Sequence, residues 1–149
     1  MGYTEVKVHV KYNSQEDIQN VKNYLRKLGM EGELIQQKNY ITLDSDIICF
    51  ENFEETAIRI SRELELNVLV ALVYDSEVAV IQGYVAGIKE YEEVKSPGEN
   101  CEMNRSMFVQ DFFPECDETK FDEILSQLDN DYAEDILFEL GDYLDIQLI

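Results

Sequence analysis

The chain has 149 residues, 45% of them hydrophobic and 11% aromatic, with 32 acidic against 12 basic residues for a net charge of −20. That length suits one domain with a real core, burying roughly two-thirds of the unfolded surface. The charge argues against nucleic acid, whose phosphates are neutralised by Lys and Arg, and against membranes; it favours basic partners.

Val6, Val8 and Val10 alternate with Glu5, Lys7, His9 and Lys11, the period-two pattern of a half-buried strand. On that reading His9 lies on a polar, solvent-facing side. Ser14, with Asp17 three residues on, reads as a helix start. Ile18, Val21, Leu25 and Leu28 then repeat at helical spacing, and Gly29 is placed to end the helix. Residues 34–35, 40–43 and 47–50 read as short strands, with turns at Lys38, Asn39 and at Asp44, Ser45. Cys49, inside the last apolar run, is expected to be buried.

Asn52 followed by Glu55 marks a second helix start, and Ala57, Ile60 and Leu64 form its apolar stripe. Val68–Tyr74 is continuously apolar, as in a central strand covered on both faces. Asp75, Ser76 and Glu77 turn the chain into a hairpin partner, Val78–Val85, where Gly83 suggests a bulge. These elements predict an α+β fold, a mixed or antiparallel sheet of about five to six strands packed with two helices.

After residue 95 the composition shifts. Residues 96–100 read as a loop, and 103–113, 117–128 and 132–144 as three helices. Phe121, Ile124, Leu125 and Leu128 line the second of these; Ala133, Ile136, Leu137, Leu140 and Leu144 line the third. The organisation expected is a single domain over 1–149, with the sheet and two helices in 1–95 and an acidic helical subdomain in 101–149.

No catalytic set emerges. GxSxG, GxGxxG and Walker patterns are missing, and His9 is the one histidine that could act as a base. Cys49, Cys101 and Cys116 are widely spaced without CxxC, so zinc has few ligands; reduced thiols, no secretory signal and no apolar run of about 20 residues point to the cytoplasm. Asp44-Ser45-Asp46 and Asp129-Asn130-Asp131 could open a calcium loop, but its fifth position would be Ile48 or Ala133, which offer no side-chain oxygen. No cofactor and no metal site are expected, and the chain is read as a non-enzyme. Oligomeric state is not encoded in any pattern found.

The acids concentrate near the end. Residues 111–145 hold thirteen carboxylates and one base, Lys120. Asp131, Glu134, Asp135, Glu139 and Asp142 form a ladder opposite the apolar stripe of the third helix; Asp117, Glu118 and Asp122 do the same one helix earlier. Acids near a helix C-terminus oppose the macrodipole, so Glu139, Asp142 and Asp145 call for positive charge from elsewhere. With Tyr132 and Tyr143 as aromatic anchors, these residues are the expected partner-binding set. Glu90, Glu92 and Glu93 are the alternative acidic site.

Ile60-Ser61-Arg62-Glu63-Leu64 running into Val68–Tyr74 and the turn at Asp75-Ser76, together with the acidic segment 132–141, resembles the small acidic immunity proteins encoded beside bacterial polymorphic toxins. The resemblance covers about a third of the chain. It implies a protein that binds one cognate toxin and catalyses nothing. The expectation is therefore an immunity protein occluding a basic toxin, a nuclease above all. Two alternatives are a DNA-mimic anti-defence protein (antirestriction or anti-CRISPR) and, from another class, a carboxylate-dependent hydrolase or divalent-metal-binding protein.

Overall fold

The computed structural model describes residues 2–30, 32–44, 47–96, 99–126 and 132–149, with the backbone alone for 99–103. In chain order the elements are β1 (Glu5–Lys11), α1 (Gln15–Lys27), β2 (Leu34–Gln36), β3 (Tyr40–Leu43), α2 (Phe53–Glu63), β4 (Val68–Tyr74), β5 (Val78–Val85), β6 (Ile88–Ser96), β7 (Glu99–Met103), α3 (Arg105–Phe112), α4 (Glu118–Ser126) and α5 (Ala133–Leu144). The fold is α+β. Its seven described strands form one antiparallel sheet in the order β2-β3-β1-β4-β5-β6-β7.

Strand alternation divides the side chains between two cores. Val6, Val8, Val10, Ile41, Leu43, Val68, Val70 and Leu72 meet Ile18, Val21 and Leu25 of α1 and Ala57 and Ile60 of α2. Leu69, Ala71, Val73, Ala79, Ile81 and Tyr91 point the other way, onto α3, α4, α5 and residues 146–149. β4 feeds both cores, which is why its sequence is apolar without alternation.

The second layer overturns the sequence reading of His9. Its ring is fully buried, because α5 and the segment after it cover the face that the lysines seemed to mark as solvated. His9 Nε2 donates to the Leu148 carbonyl (2.8 Å), so Nδ1 accepts from Thr42 Oγ1 (2.8 Å). Gln37 completes the latch: its Nε2 donates to Thr42 Oγ1 (2.8 Å), and its Oε1 accepts from the Gln147 amide (2.7 Å). Burial holds the imidazole pKa down at about 4, well below its usual 6.5.

Several local expectations hold for stated reasons. Ser14 accepts from the Asp17 amide, and Asp17 accepts from the Asn13 amide, a reciprocal cap on α1. Gly29 at φ +75 ends that helix, with Gly29 N–H bonded to Arg26 and Met30 N–H to Leu25, the paired bonds of a Schellman motif. Asp75 and Ser76 both adopt positive φ in the tight β4–β5 turn. The register of β5 on β6 shifts between Gly83 and Tyr84, and a Cβ at Gly83 would stand 2.8 Å from the Phe112 ring of α3.

Others do not hold. Residues 47–50 form a turn rather than a strand, with the Ile47 and Ile48 amides donating to Asp44. Ile47 and Ile48 are buried, whereas Cys49 is exposed. Asn52 precedes α2 but does not cap it: its side chain accepts from the Cys49 amide and donates to Ile47 O, pinning that turn. Residue 96 ends β6 and 99–100 begin β7, where a loop was expected, and α3 starts at Arg105.

Candidate functional site

α5 presents two different surfaces. Ala133, Ile136, Leu137, Leu140 and Leu144 are buried, as their spacing predicts. Asp135, Glu139 and Asp142 are exposed, as is Asp145 just beyond the helix. Among the described residues none of these four carboxylates has an ion pair. Tyr132 (66% exposed) and Phe138 (45%) stand out from the same helix. Asp131, the first rung of the predicted ladder, lies outside the described residues.

The other predicted contact residues are committed internally. Tyr143 is half-buried, and its hydroxyl accepts from the Asp117 amide (2.7 Å), tying α5 to the start of α4. Asp117 is exposed but serves as the α4 cap, accepting from the Thr119 amide (2.9 Å). Glu118 accepts from Ser106 Oγ (2.8 Å). Glu134 accepts from Ser76 Oγ (2.8 Å).

Asp122 is the half-exposed outer end of a charge network that runs inward to Glu93. Arg105 bonds it through Nη1 and reaches Glu93 through Nη2 and Nε, the latter at 3.0 Å. Glu93 is 1% exposed and also accepts from Tyr91 Oη (2.8 Å). Its burial removes it from the alternative acidic site, for which Glu90 and Glu92 remain half-exposed.

Arg105 illustrates a wider asymmetry on this side of the sheet. Three of the bases there turn inward, whereas Lys120 stays exposed. Lys7 is buried beside Glu5 (3.9 Å). Lys11 donates to Asp111 O (3.0 Å) at the C-terminal end of α3, and burial lowers its pKa. Asn67 (3.3 Å) caps the same carbonyl, and Tyr40 Oη (2.7 Å) the next one, Phe112 O. Lys120 alone of the α4 and α5 residues is basic, and it pairs with Glu123 at 3.7 Å.

A second feature was anticipated only in part, through Tyr132. Tyr3, Phe50, Tyr74, Tyr132 and Phe138 are exposed around one end of the sheet, where β1 begins and β4 turns into β5. Tyr3 and Phe138 meet edge to face with centroids 6.3 Å apart, as do Phe50 and Tyr74. Ser76 organises this end. Its amide donates to Tyr3 O (2.9 Å), its hydroxyl oxygen accepts from the Tyr3 amide (2.7 Å), and its carbonyl accepts from the Ala133 amide (3.0 Å). The turn was legible in the sequence. Its meeting with α5 was not, because residues 76 and 133 are adjacent only in the fold.

Between these segments lies a cleft of about 510 Å³ lined by Gly2, Tyr3, Asp75, Ser76, Glu77, Tyr132 and Glu134. Glu134 Oε2 is buried there without a hydrogen-bond partner. Burial and the hydrogen bond to Glu5 push the Tyr3 phenol up to about 12. No three Asp, Glu, His or Cys side chains gather to hold a metal ion among the described residues, nor is any described helix long and apolar enough to cross a membrane. Compared with family models, curated proteins and solved structures, the chain finds no match.

Proposed function

We propose that this chain is a non-enzymatic acidic inhibitor that binds a basic protein, and that it acts as an immunity protein occluding the active site of a basic toxin such as a nuclease. The observation carrying this reading is the opposed orientation of charges on the α3–α5 side. Lys7, Lys11 and Arg105 are spent on internal partners, while Asp135, Glu139, Asp142 and Asp145 face solvent with no ion pair among the described residues. Turning bases in and acids out leaves that surface more negative than its composition. Such a field accelerates encounter with a positive partner and excludes negative ones. Tyr132 and Phe138 add the apolar contacts that a charge-only surface lacks.

The test has two steps. The chain is used to capture partners from its source cell at low and high salt, and the bound protein is identified. A basic protein recovered at low salt supports the reading; a nuclease encoded beside this chain identifies the toxin, and a defence enzyme points to a DNA mimic instead. Recovery of no basic protein refutes it. With the partner in hand, the triple reversal Asp135→Lys, Glu139→Lys, Asp142→Lys should slow association at least tenfold and flatten its salt dependence. Glu134 is left out because its carboxylate is bonded to Ser76.

A further inference from the structure

We infer that the cleft between the β4–β5 turn and α5 receives an arginine side chain of the basic partner. The inference rests on the reading of a basic protein partner and assigns to it one anchoring contact. Three carboxylates line the cleft, from Asp75, Glu77 and Glu134, and none of its lining residues is basic. The Glu134 oxygens are distinct: Oε1 is held by Ser76, while Oε2 is buried without a partner. That oxygen is an acceptor left unsatisfied by the fold itself.

The shape and walls of the cleft favour an extended organic cation over a metal ion. Among the described residues the acids do not converge as a metal-ligand group, and two of the lining residues are aromatic, Tyr3 and Tyr132. Rings beside carboxylates suit a planar guanidinium, which stacks on aromatic faces and donates several hydrogen bonds at once; an ammonium, a compact and strongly hydrated point charge, gains less from the rings. The frame is fixed before binding. Ser76 joins the segment before β1, the turn and α5, the Gly2 amide donates to Asp75 Oδ1 (2.8 Å), and the Asp75 amide donates to Thr4 Oγ1 (2.9 Å). Such preorganisation lowers the cost of receiving a side chain.

The test needs no partner protein. The full chain is titrated, with amide signals followed by NMR, against three blocked tripeptides: Gly-Arg-Gly, Gly-Lys-Gly and Gly-Gln-Gly. The arginine peptide should shift the signals of Tyr3, Ser76, Glu77, Ala133 and Glu134 and half-saturate at least fivefold below the lysine peptide; the glutamine peptide should shift none. Glu134→Gln, which keeps an acceptor for Ser76, and Tyr132→Ala, at an exposed position, should each weaken the arginine peptide at least fivefold. Glu16→Gln, exposed on α1 away from the cleft, should change it less than twofold.

Shifts spread evenly over the acidic surface, equal loss in Glu16→Gln, or equal binding of lysine would overturn the assignment. Free arginine binding tighter than the blocked peptide would overturn the protein source of the cation. The two proposals fail separately. Peptide binding without capture of a basic protein removes the inhibitor and leaves the cleft, whereas capture undiminished by Glu134→Gln and Tyr132→Ala removes the cleft alone.

Discussion

His9 makes acid stability a measure of how tightly residues 146–149 close over the sheet. The imidazole is fully buried and neutral, with both nitrogens bonded, and its pKa is lowered to about 4. The unfolded chain titrates this group near 6.5. Above that pH neither state is protonated and the group adds nothing to the pH dependence. Between 6.5 and 4 the unfolded state takes up a proton that the folded state refuses, so stability falls as pH falls. At about 1.4 kcal/mol per unit, lowering the pH from 7 to 5 removes about 2 kcal/mol.

The carboxylates titrate too, so the quantity to measure is the difference between the native chain and His9→Gln. Urea unfolding at pH 7, 6 and 5, all above the isoelectric point near 4.1, should show the native chain losing about 2 kcal/mol more than the variant. Because the chain has one histidine, a single imidazole NMR signal reports the folded pKa directly. Parallel loss in the two proteins, or an imidazole titrating at 6.5 in the folded state, would refute the latch.

Three further outcomes follow from local geometry. Asp145 ends α5 at φ +60 and sets a carboxylate against the negative end of the helix dipole; Asp145→Gly should raise stability by about 1 kcal/mol in urea unfolding, relieving both. Gly141 is buried within α5, where a Cβ would stand 2.5 Å from Ile146 O; Gly141→Ala should cost about 1–3 kcal/mol by the same assay and broaden the amide signals of residues 146–149. Arg105→Met leaves Glu93 with the longer Lys95 contact (3.9 Å) and should destabilise by up to about 3–5 kcal/mol, whereas adding Glu93→Met should recover most of that loss.

The sequence revealed elements whose side chains obey one rule and hid those governed by two. The buried face of α5 is readable because each of its apolar residues meets one layer. β4 is readable because both of its faces are apolar. β6, over IKEYEEVKS, carries few apolar residues, yet Tyr91 and Glu93 face inward, and Glu93 is tolerated there by Lys95 and by Arg105, twelve residues away. His9 fails the same way: alternation places it opposite the valines, and nothing local says that a second layer covers it. At the candidate site, the exposed acids of α5 could be picked from periodicity alone. Which acids were already bonded depended on Ser76, Ser106 and Arg105, contacts that no spacing encodes.

The bond from His9 to Leu148 also orders events during synthesis. β1, β3 and β4 can pair as soon as residue 74 is available, but the face bearing His9, Leu69 and Ala71 stays bare until the segment around residue 140 emerges. At ribosomal speed that interval is on the order of several seconds to ten seconds. A hydrophobic sheet face exposed so long invites association between nascent chains. Residues 1–99 already carry eighteen acids against ten bases by then, so emerging chains repel one another before the covering layer arrives. The acidity would thus guard the unfinished fold as well as serve the finished surface.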